Sequence, residues 1–237
     1  MKDLNNKIAV ITGAGRGIGY ELAQGMIEHG IIVYGLDLNF PEAHYKFETI
    51  QCDITKPEDI VNLIPSDRVD ILINNAGVSY PESFENYDKD LWFKTLEVNL
   101  CGPFFLSQKI LHLLKKSDSP SIINITSLNA ELAFPNNPAY VSSKSALAGL
   151  TRSMALDLGK YGIRVNSIAP GYIKTKMTGE SYKNLNKRQE RSKRTILGRW
   201  GTPQDLLGPL LFLSSEISSY ITGHSLFVDG GWKIRGL

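Results

Sequence analysis

The sequence predicts an α/β fold built on a parallel sheet. Short apolar runs rich in Ile, Val and Leu recur along the chain, as is typical of strands that are buried on both faces. The first run leads into a glycine-rich turn, and an amphipathic helical pattern follows the turn. A chain of 237 residues has a length that is common for one α/β domain. We therefore assign residues 1–237 to a single domain.

The glycine-rich turn is the first candidate binding site. Residues 8–11 form the first predicted strand, and the turn that follows reads Thr12-Gly13-Ala14-Gly15-Arg16-Gly17-Ile18-Gly19. Glycines allow backbone N–H groups to approach a diphosphate, and the positive end of the next helix then faces its negative charge. The same spacing also fits an ordinary tight turn. The strand before the turn and the helix after it favour dinucleotide binding.

The second predicted strand, residues 31–36, ends at Asp37. This acid follows Gly19 by 18 residues, close to the ~20 expected of a carboxylate that binds the hydroxyls of an adenosine ribose. It could instead be a helix N-cap or a turn residue. A carboxylate there would repel a 2′-phosphate, which favours NAD over NADP, whereas Arg16 could receive such a phosphate. Because Leu38 and not an arginine follows Asp37, we predict NAD.

The region after Asp37 is short. Only residues 38–44 precede the third predicted strand, residues 45–51, so the usual crossover helix is expected to be a stub. Asp53 then either touches the adenine edge or caps a helix that begins at residues 57–59. The fourth predicted strand, residues 69–73, leads into Asn74-Asn75-Ala76-Gly77. Such residues suit close packing beside a cofactor, or a turn that satisfies its own backbone.

Polar residues also accompany the next two elements. Residues 90–115 predict one long helix broken near Gly102-Pro103. Asn99 lies just before the break, where its side chain could serve function or make a structural hydrogen bond. Ser127 stands at the carboxyl end of the fifth predicted strand, residues 121–126, at the edge where open α/β sheets bind ligands. Residues 163–168 and 225–228 are the last two predicted strands.

Tyr140 and Lys144 are the strongest candidates for chemistry. They are four residues apart at the start of a predicted helix, so their side chains share a face. An ammonium beside a phenol favours the phenolate and lowers the phenol pKa from about 10. Such a tyrosine can exchange a proton with an alcohol or a ketone. Many Tyr-x3-Lys pairs only pack, but Ser127, thirteen residues before Tyr140, can hydrogen-bond the same oxygen.

Composition excludes several classes of function. The net charge of +2 gives no reason to expect nucleic acid as a partner. Cys52 and Cys101 form neither a disulfide framework nor a metal-ligand pair, which suits a reducing compartment. The four histidines are scattered, so no metal site is expected. No apolar run reaches about 18 residues, so neither a membrane segment nor a membrane partner is expected, and we predict a cytoplasmic protein.

From Ile8 to Trp232 the sequence resembles the short-chain dehydrogenase/reductase family. The matching motifs are Thr12-Gly-x3-Gly-x-Gly19, Asn74-Asn-Ala-Gly77, Asn99, Ser127, Tyr140-x3-Lys144 and Pro170-Gly171. The resemblance implies a doubly wound, seven-stranded parallel Rossmann sheet with helices on both faces. It also implies hydride transfer between a nicotinamide and a secondary alcohol or ketone.

The resemblance assigns roles to residues. Tyr140 would be the general acid/base, and Lys144 would lower its pKa and hold the nicotinamide ribose. Ser127 would orient the substrate oxygen, and Asn99 would support a proton relay. Further residues would contact the cofactor: Gly13, Gly15, Arg16, Gly17, Ile18, Gly19, Asp37, Asp53, Ile54, Asn75, Ala76, Gly77, Tyr140, Lys144, Pro170, Gly171, Ile173 and Thr175.

The stretch from 198–201 to 223–231 is most similar to members that act on sugar acids and polyols, gluconate 5-dehydrogenases among them. We therefore expect an NAD-dependent dehydrogenase of a polar secondary alcohol. A 3-oxoacyl-thioester (acyl carrier protein) reductase has a similar tail but would ordinarily favour NADPH. A non-catalytic nucleotide-binding regulator is an alternative of another class. It should have lost Tyr140, Lys144 or Ser127, and all three are present.

Two further expectations concern surfaces. The segment 174–200, a substrate lid in this family, carries nine basic and two acidic residues, or +7, which leaves −5 for the rest of the chain. Such a lid would attract a carboxylate or phosphate, unless it is only a solvated helix face. A homotetramer is expected from small residues of helix 142–150 and from the apolar tail 226–228 with Trp232. The small residues are Ser145, Ala146, Ala148 and Gly149.

Overall fold

The computed structural model describes residues 2–42, 44–58 and 60–235. Its centre is one seven-stranded sheet, in which every pair of neighbouring strands is parallel. The strands are β1 (Ile8–Thr12), β2 (Ile32–Asp37), β3 (Glu48–Gln51), β4 (Ile71–Asn74), β5 (Ser121–Ile125), β6 (Arg164–Pro170) and β7 (Ser225–Val228). The helices are α1 (Gly17–Glu28), α2 (Lys89–Leu96), α3 (Gly102–Lys109), α4 (Leu111–Leu114), α5 (Pro138–Leu158), α6 (Gly179–Lys183), α7 (Leu185–Arg194) and α8 (Gln204–Ser214).

Alternation along the strands divides the core into two layers. In β1, Ile11 packs with α1 and α8 on one face, whereas Val10 packs with α3, α4 and α5 on the other. Ile73 and Leu72 of β4 divide in the same way. Successive side chains of a strand point to opposite faces, so these strands are buried on both sides. This explains why they read as continuous apolar runs, and the expected helical layers on both faces are confirmed.

The strand order is β3-β2-β1-β4-β5-β6-β7. The chain leaves β1 in one direction to form β2 and β3, and it returns to the other side of β1 to form β4. Open α/β sheets bind ligands at this kind of switch point, in the crevice beyond the carboxyl ends of the strands. The glycine-rich turn, Asn75 and Ser127 all follow carboxyl ends of strands at this edge.

The helical region after β4 differs from the prediction of one helix broken at Gly102-Pro103. Helix α2 gives way to a π-helical turn, Glu97–Cys101, before α3 begins. Pro103 has no N–H to donate to the carbonyl of Asn99, four residues earlier, and the N–H of Gly102 donates to Glu97, five residues back. The break therefore precedes Gly102 and places Asn99 inside the π-helical turn. A second interruption, at Ile110, separates α3 from α4.

Aromatic side chains stand where a crossover helix between β2 and β3 would lie. Ten residues link the two strands, and their described part forms no helix. The short helix that we predicted here is absent from the described residues. Strand β3 begins at Glu48 and not at residue 45. Tyr45 lies 5.2–5.6 Å, centroid to centroid, from three other rings in T-shaped contacts. We call this group the crossover cluster; its members are Tyr20, Phe40, Tyr45 and Phe47.

The predicted helix at residues 57–59 is also replaced. The described residues between β3 and β4 hold one short 3₁₀ turn, Val61–Leu63, and Asp59 lies outside the described residues. The carboxylate of Asp53 accepts hydrogen bonds from the backbone N–H and the hydroxyl of Thr55, at 3.0 and 2.8 Å. Asp53 therefore closes its own turn and caps no α-helix.

Within the same described ranges, no helix is both long and apolar enough to span a bilayer. These ranges also contain no group of three or more His, Cys, Asp or Glu side chains arranged to hold a metal ion.

Candidate active site

The glycine-rich turn has a backbone conformation that depends on its glycines. Gly13 and Gly17 adopt φ values of 66° and 61°, which favour glycine. A Cβ on Gly13 would lie 2.8 Å from Cα of Ala76, and one on Gly19 would lie 2.1 Å from the carbonyl oxygen of Gly13. The turn therefore tolerates no side chain at these positions, and it ends on the N-terminus of the twelve-residue helix α1. This geometry fits the diphosphate of a dinucleotide.

Asn75 holds this turn in place. Its side-chain amide donates to the carbonyl oxygens of Thr12 and Gly13, at 2.9 and 3.2 Å. The hydroxyl of Thr12 accepts from the backbone N–H groups of Asn75 and Ala76, both at 3.0 Å. Asn75 and Ala76 thus lie against the glycine-rich turn. The Asn75 amide is occupied by the protein, so a direct cofactor contact for this side chain stays a prediction.

Asp37 lies beside the turn, as its spacing predicts. One carboxylate oxygen accepts from the N–H of Gly15 at 2.8 Å, and the other accepts from the N–H of Asn39 at 3.3 Å. Burial, followed by the carboxylates of Asp37 and Asp53, raises the pKa of the Cys52 thiol to about 11. The two acids therefore give this end of the crevice a negative potential. Arg16 is exposed at the same end, and its side chain makes no hydrogen bond or ion pair within the described residues.

Two other predicted cofactor contacts are largely buried in the protein. Ile54 is 8% exposed and packs in the core layer beneath Gly102. A Cβ on Gly102 would lie 3.0 Å from Cδ1 of Ile54. Ile18 packs partly against the opposite layer. Any contact of these two residues with a cofactor would involve mainly the backbone.

The end of β6 returns the chain to the glycine-rich turn. Gly171 follows Pro170, and its N–H donates to the carbonyl of Val228 at 3.0 Å. The side chain of Ile173 is 4% exposed, and its carbonyl accepts from the hydroxyl of Thr178 at 2.6 Å. A Cβ on Gly17 would lie 4.0 Å from Cβ of Thr175. Thr175 is thus beside the turn, where the resemblance places it.

Four polar residues meet near the carboxyl edge of β5. Tyr140 and Lys144 lie on the first turns of α5, and Ser127 lies two residues after the end of β5. A Cβ on Gly77 would lie 3.3 Å from the Asn99 side-chain oxygen and 3.5 Å from Nζ of Lys144. The structure therefore brings the side chains of Asn99 and Lys144 close to the same glycine. All four residues of the motif converge on one region, while their chemical roles stay predictions.

Asn99 is fully occupied by structural hydrogen bonds. Its side-chain oxygen accepts from the N–H of Val78 at 2.8 Å, and its amide nitrogen donates to the Val78 carbonyl and the Ser143 hydroxyl, both at 3.0 Å. These bonds tie the loop after β4 to α5. π-Helical turns are frequent at functional sites, and support of a proton relay by Asn99 stays a prediction.

The pKa values at Tyr140 and Lys144 differ from the simple expectation. Burial raises the pKa of the Tyr140 phenol above 10.0, the nearby Tyr172 phenol adds to this, and an interaction with the Ser127 hydroxyl acts in the opposite direction. Nζ of Lys144 donates to the carbonyl of Ile125 at 2.7 Å and lies 5.7 Å from the centre of the Tyr140 ring. Burial, and not Lys144, therefore dominates the Tyr140 pKa in this structure, and the lowering of that pKa by Lys144 stays a prediction.

Burial also acts on the lysine. Lys144 is 3% exposed, and desolvation lowers its pKa from 10.5 to about 8. At neutral pH the ammonium is thus still the main form. It is held by one backbone carbonyl, close to the phenol but not in contact with its oxygen.

An aromatic group that the sequence analysis missed joins the lid, residues 174–200, to the site. Tyr172 follows β6 and stacks on Trp232 at 5.2 Å between centroids, with 27° between the ring planes. Trp200 lies 5.0 Å from Tyr172 and 5.2 Å from Tyr182. We call this group the lid-base cluster; its members are Phe134, Tyr172, Tyr182, Trp200 and Trp232. Its residues are far apart in sequence, so no local pattern in the sequence indicates it.

The comparisons with known proteins agree with this geometry. A protein-family model described as enoyl-(acyl carrier protein) reductase matches residues 13–233. A 2-dehydro-3-deoxy-D-gluconate 5-dehydrogenase of Bacillus subtilis is 37% identical over 249 residues, which cover 98% of this chain and 96% of that protein. The chain belongs to the short-chain dehydrogenase/reductase family. It is thus an oxidoreductase of a family whose members act on CH–OH groups.

Solved structures of this family superpose over nearly the whole chain. A gluconate 5-dehydrogenase from Burkholderia cenocepacia, in complex with NADP and tartrate, gives a TM-score of 0.92 at 32% identity and covers 99% of this chain and 98% of its own. A 4-hydroxyisoleucine dehydrogenase complexed with NADH gives 0.89 at 34% identity, covering 98% and 100%. A pyridine nucleotide is therefore the cofactor class, and the glycine-rich turn, which ends at the N-terminus of α1, fits its diphosphate.

Proposed function

We propose that this protein transfers a hydride between NAD(H) and a secondary alcohol or ketone of a polyol or sugar acid. One observation carries the proposal. Near the carboxyl edge of β5, beside the glycine-rich turn, the structure brings together Tyr140, Ser127 and Lys144. The oxidised cofactor, when bound, supplies the hydride acceptor and a positive charge. The chain supplies the proton acceptor and the groups that orient the substrate oxygen.

Tyr140 exchanges the proton of the reacting hydroxyl in this proposal. Its pKa is raised by burial, so ionisation of the phenol needs positive charge nearby in the working complex. Lys144, which is protonated below a pKa of about 8, is the protein's own source of that charge. Ser127 faces the same phenol and can donate to the substrate oxygen as it loses or gains its proton.

The test of this assignment is Tyr140→Phe. We expect turnover to fall to below a tenth of the wild-type rate, while binding of NADH, followed by its fluorescence, is unchanged, because the variant removes only the transferable proton. Tyr161→Phe is the control, since that phenol is 42% exposed and outside the site. Retention of a tenth or more of the activity by Tyr140→Phe would contradict the assignment.

We propose NAD as the preferred cofactor. The negative potential that Asp37 and Asp53 create at the adenosine end supports this preference, and the exposed Arg16 is the feature that opposes it. Both cofactors occur among the solved relatives. Asp37 should repel the 2′-phosphate of NADP, whereas NAD has no such phosphate.

Substitution of Asp37 tests the preference. Asp37→Asn keeps a hydrogen-bond acceptor for the N–H of Gly15 but removes the charge, and Asp37→Ala removes both. We expect both variants to lower the ratio of kcat/KM with NAD to kcat/KM with NADP. Asp37→Asn should raise kcat/KM with NADP. A wild-type enzyme with higher kcat/KM for NADP would show that Arg16 dominates and that this reading of Asp37 is wrong.

The proposed substrate carries an anionic group. The +7 charge of the lid supports this, and so does the similarity to enzymes named for sugar acids. A 3-oxoacyl-thioester reductase is the competing activity, since the matching family model is named for an acyl-carrier-protein substrate. A panel of sugar acids, polyols and oxo-thioesters with both cofactors separates them by nicotinamide absorbance. Faster reduction of the thioester than turnover of any sugar acid would overturn the proposal.

We further propose that the enzyme works in the cytoplasm as one domain and as a homotetramer. Free thiols at Cys52 and Cys101 support a reducing compartment. The small side chains of Ser145 and Ala146 are exposed on α5, which supports close approach of a second copy.

A further inference from the structure

We propose that Arg191 is the residue that binds the anionic group of the substrate. This inference rests on the proposed function and names the specificity-determining contact within it. The lid holds four arginines, Arg188, Arg191, Arg194 and Arg199. Their partners in the structure differ, and these differences single out Arg191.

Two of the four arginines already bind carboxylates. Arg199 makes two parallel hydrogen bonds to Asp205, at 2.7 and 2.8 Å. Asp205 is also the acceptor for the N–H and hydroxyl of Thr202 at the start of α8, so this pair closes the lid's C-terminal end. Arg194 pairs with Glu190 at 3.3 Å, one helical turn before it. The guanidinium of Arg199 is therefore occupied by Asp205. The guanidinium carbon of Arg194 also lies 5.8 Å from the centre of the Trp232 ring, but its charge is paired with Glu190.

The two remaining arginines stack on different rings. The guanidinium carbon of Arg188 lies 4.7 Å from the centre of the Tyr182 ring, and both residues belong to the lid. The guanidinium carbon of Arg191 lies 4.2 Å from the centre of the Tyr172 ring and 5.7 Å from that of Trp200. Arg191 is half-buried, whereas Arg188 is exposed. Arg191 therefore reaches back from the lid onto the base of the site.

Tyr172 connects Arg191 to the reacting group. It follows Gly171 at the carboxyl end of β6, and its phenol lies close enough to Tyr140 to raise the pKa of that residue. The Arg191 guanidinium and the proposed acid/base thus both lie near Tyr172. A carboxylate a few carbons away from the reacting carbon would meet the guanidinium.

The chemistry of Arg191 suits this ligand. Within the described residues its side chain makes no ion pair and no hydrogen bond, so its charge is not neutralised by a neighbouring acid. A guanidinium that stacks by its face keeps its N–H groups free at its edge. Those groups match the two oxygens of a carboxylate. An uncharged polyol offers no such partner, so Arg191 would discriminate acids from polyols.

The test compares Arg191→Gln with Arg188→Gln, two variants on the same helix that lose the same charge. Their kcat/KM values are measured for D-gluconate and for the uncharged D-glucitol. We expect Arg191→Gln to lower the value for gluconate tenfold to a hundredfold, mainly through KM, and to change the value for glucitol less than threefold. Arg191→Lys should restore only part of the loss, because a lysine cannot bind both oxygens in the same plane.

The control decides between a specific contact and a general field. Arg188→Gln should leave the ratio of kcat/KM for gluconate to kcat/KM for glucitol within a factor of about two of the wild-type ratio. An equal loss in both variants would mean that only the lid's net charge matters, and an equal loss on both substrates would mean that Arg191 only supports Tyr172. Either result would overturn the proposal.

A binding measurement keeps this inference separate from the proposed function. Tartrate and the uncharged threitol serve as probes, and each is titrated against the NADH-loaded enzyme by the change in its thermal midpoint. Tartrate should stabilise the wild type and Arg188→Gln but not Arg191→Gln, and threitol should not distinguish them. If tartrate stabilises all three equally, or none, the Arg191 contact is wrong. A lack of turnover of every sugar acid with normal tartrate binding would contradict the proposed function alone.

Discussion

Lys144 is buried as a cation, and this has a consequence for stability. Its pKa falls from 10.5 to about 8 because folding removes it from water. Below pH 8 both the folded and the unfolded chain hold the proton, so the folded state carries the full penalty of the buried charge, about 3 kcal/mol. Between pH 8 and 10.5 the folded state loses the proton first, and the penalty declines as the pH rises.

We therefore expect Lys144→Met to be more stable than the wild type at pH 7, although it should be inactive. The gain should be about 1–2 kcal/mol, because the lost hydrogen bond to Ile125 offsets part of it by about 1 kcal/mol. Urea unfolding measures the difference, which should shrink as the pH is raised from about 8 towards 10. A variant less stable at pH 7, or a difference that is independent of pH, would contradict this account.

At the residue level, the sequence predicted where the polar groups lie better than what they contact. The spacing of Tyr140 and Lys144 placed them on one helix face, but their burial, which sets both pKa values, depends on packing between distant elements. Arg164 escaped notice for the same reason. It is 8% exposed, and its guanidinium donates to the carbonyls of Leu213 and Ser215 at the C-terminus of α8. Nothing near Arg164 in sequence indicates this contact.

At the level of elements, the strands could be predicted because burial on both faces leaves a continuous apolar run. The connections could not. The π-helical turn at Asn99 depends on backbone hydrogen bonds that sequence periodicity does not reveal. The missing helix between β2 and β3 was signalled by the short length of the connection, but one of the aromatic rings that replace it, Tyr20, comes from helix α1.

Tyr45 of the crossover cluster is expected to tune cofactor binding. Its hydroxyl donates to the carbonyl of Gly15 at 3.1 Å and accepts from the N–H of Glu42 at 2.7 Å. Because Asp37 holds the N–H of Gly15, the two side chains fix both sides of this residue. Tyr45→Phe keeps the ring contacts but frees the carbonyl, so we expect the Kd for NADH to rise threefold to tenfold, or about 1 kcal/mol.

Tyr20→Phe is the matched control for that measurement. Tyr20 belongs to the same cluster, but its hydroxyl contacts Gln24 and the carbonyl of His44, not the glycine-rich turn. Fluorescence titration should give a wild-type Kd for Tyr20→Phe. If the two variants weaken NADH binding equally, packing of the cluster and not the Gly15 contact is responsible.

For the whole molecule, the predicted homotetramer needs two surfaces. Phe104 and Phe105 of α3 are 38% and 45% exposed, and α3 packs on the same face of the sheet as α5. Strand β7 is an edge of the sheet. Trp232, in contrast, is 7% exposed and packs on Phe134 and Tyr172 of its own chain, so it needs no second copy for its burial.

Light scattering at micromolar concentration should give a mass four times that of the 26.3 kDa chain. Ala146→Glu, which places a charge on the exposed face of α5, should lower the mass to that of a smaller assembly without unfolding the protein. A wild-type monomer would rule the tetramer out. A tetramer that is unaffected by Ala146→Glu would move the interface away from α5.

The lid-base cluster also makes the protein its own optical reporter. Trp200 and Trp232 are two of the three tryptophans in the chain, and the indole N–H of Trp200 donates to the carbonyl of Arg188 on α7 at 3.1 Å. Movement of α7 must therefore alter the surroundings of an indole whose emission responds to polarity. Stopped-flow fluorescence could follow the opening and closing of the lid in real time, with no label and no engineered residue.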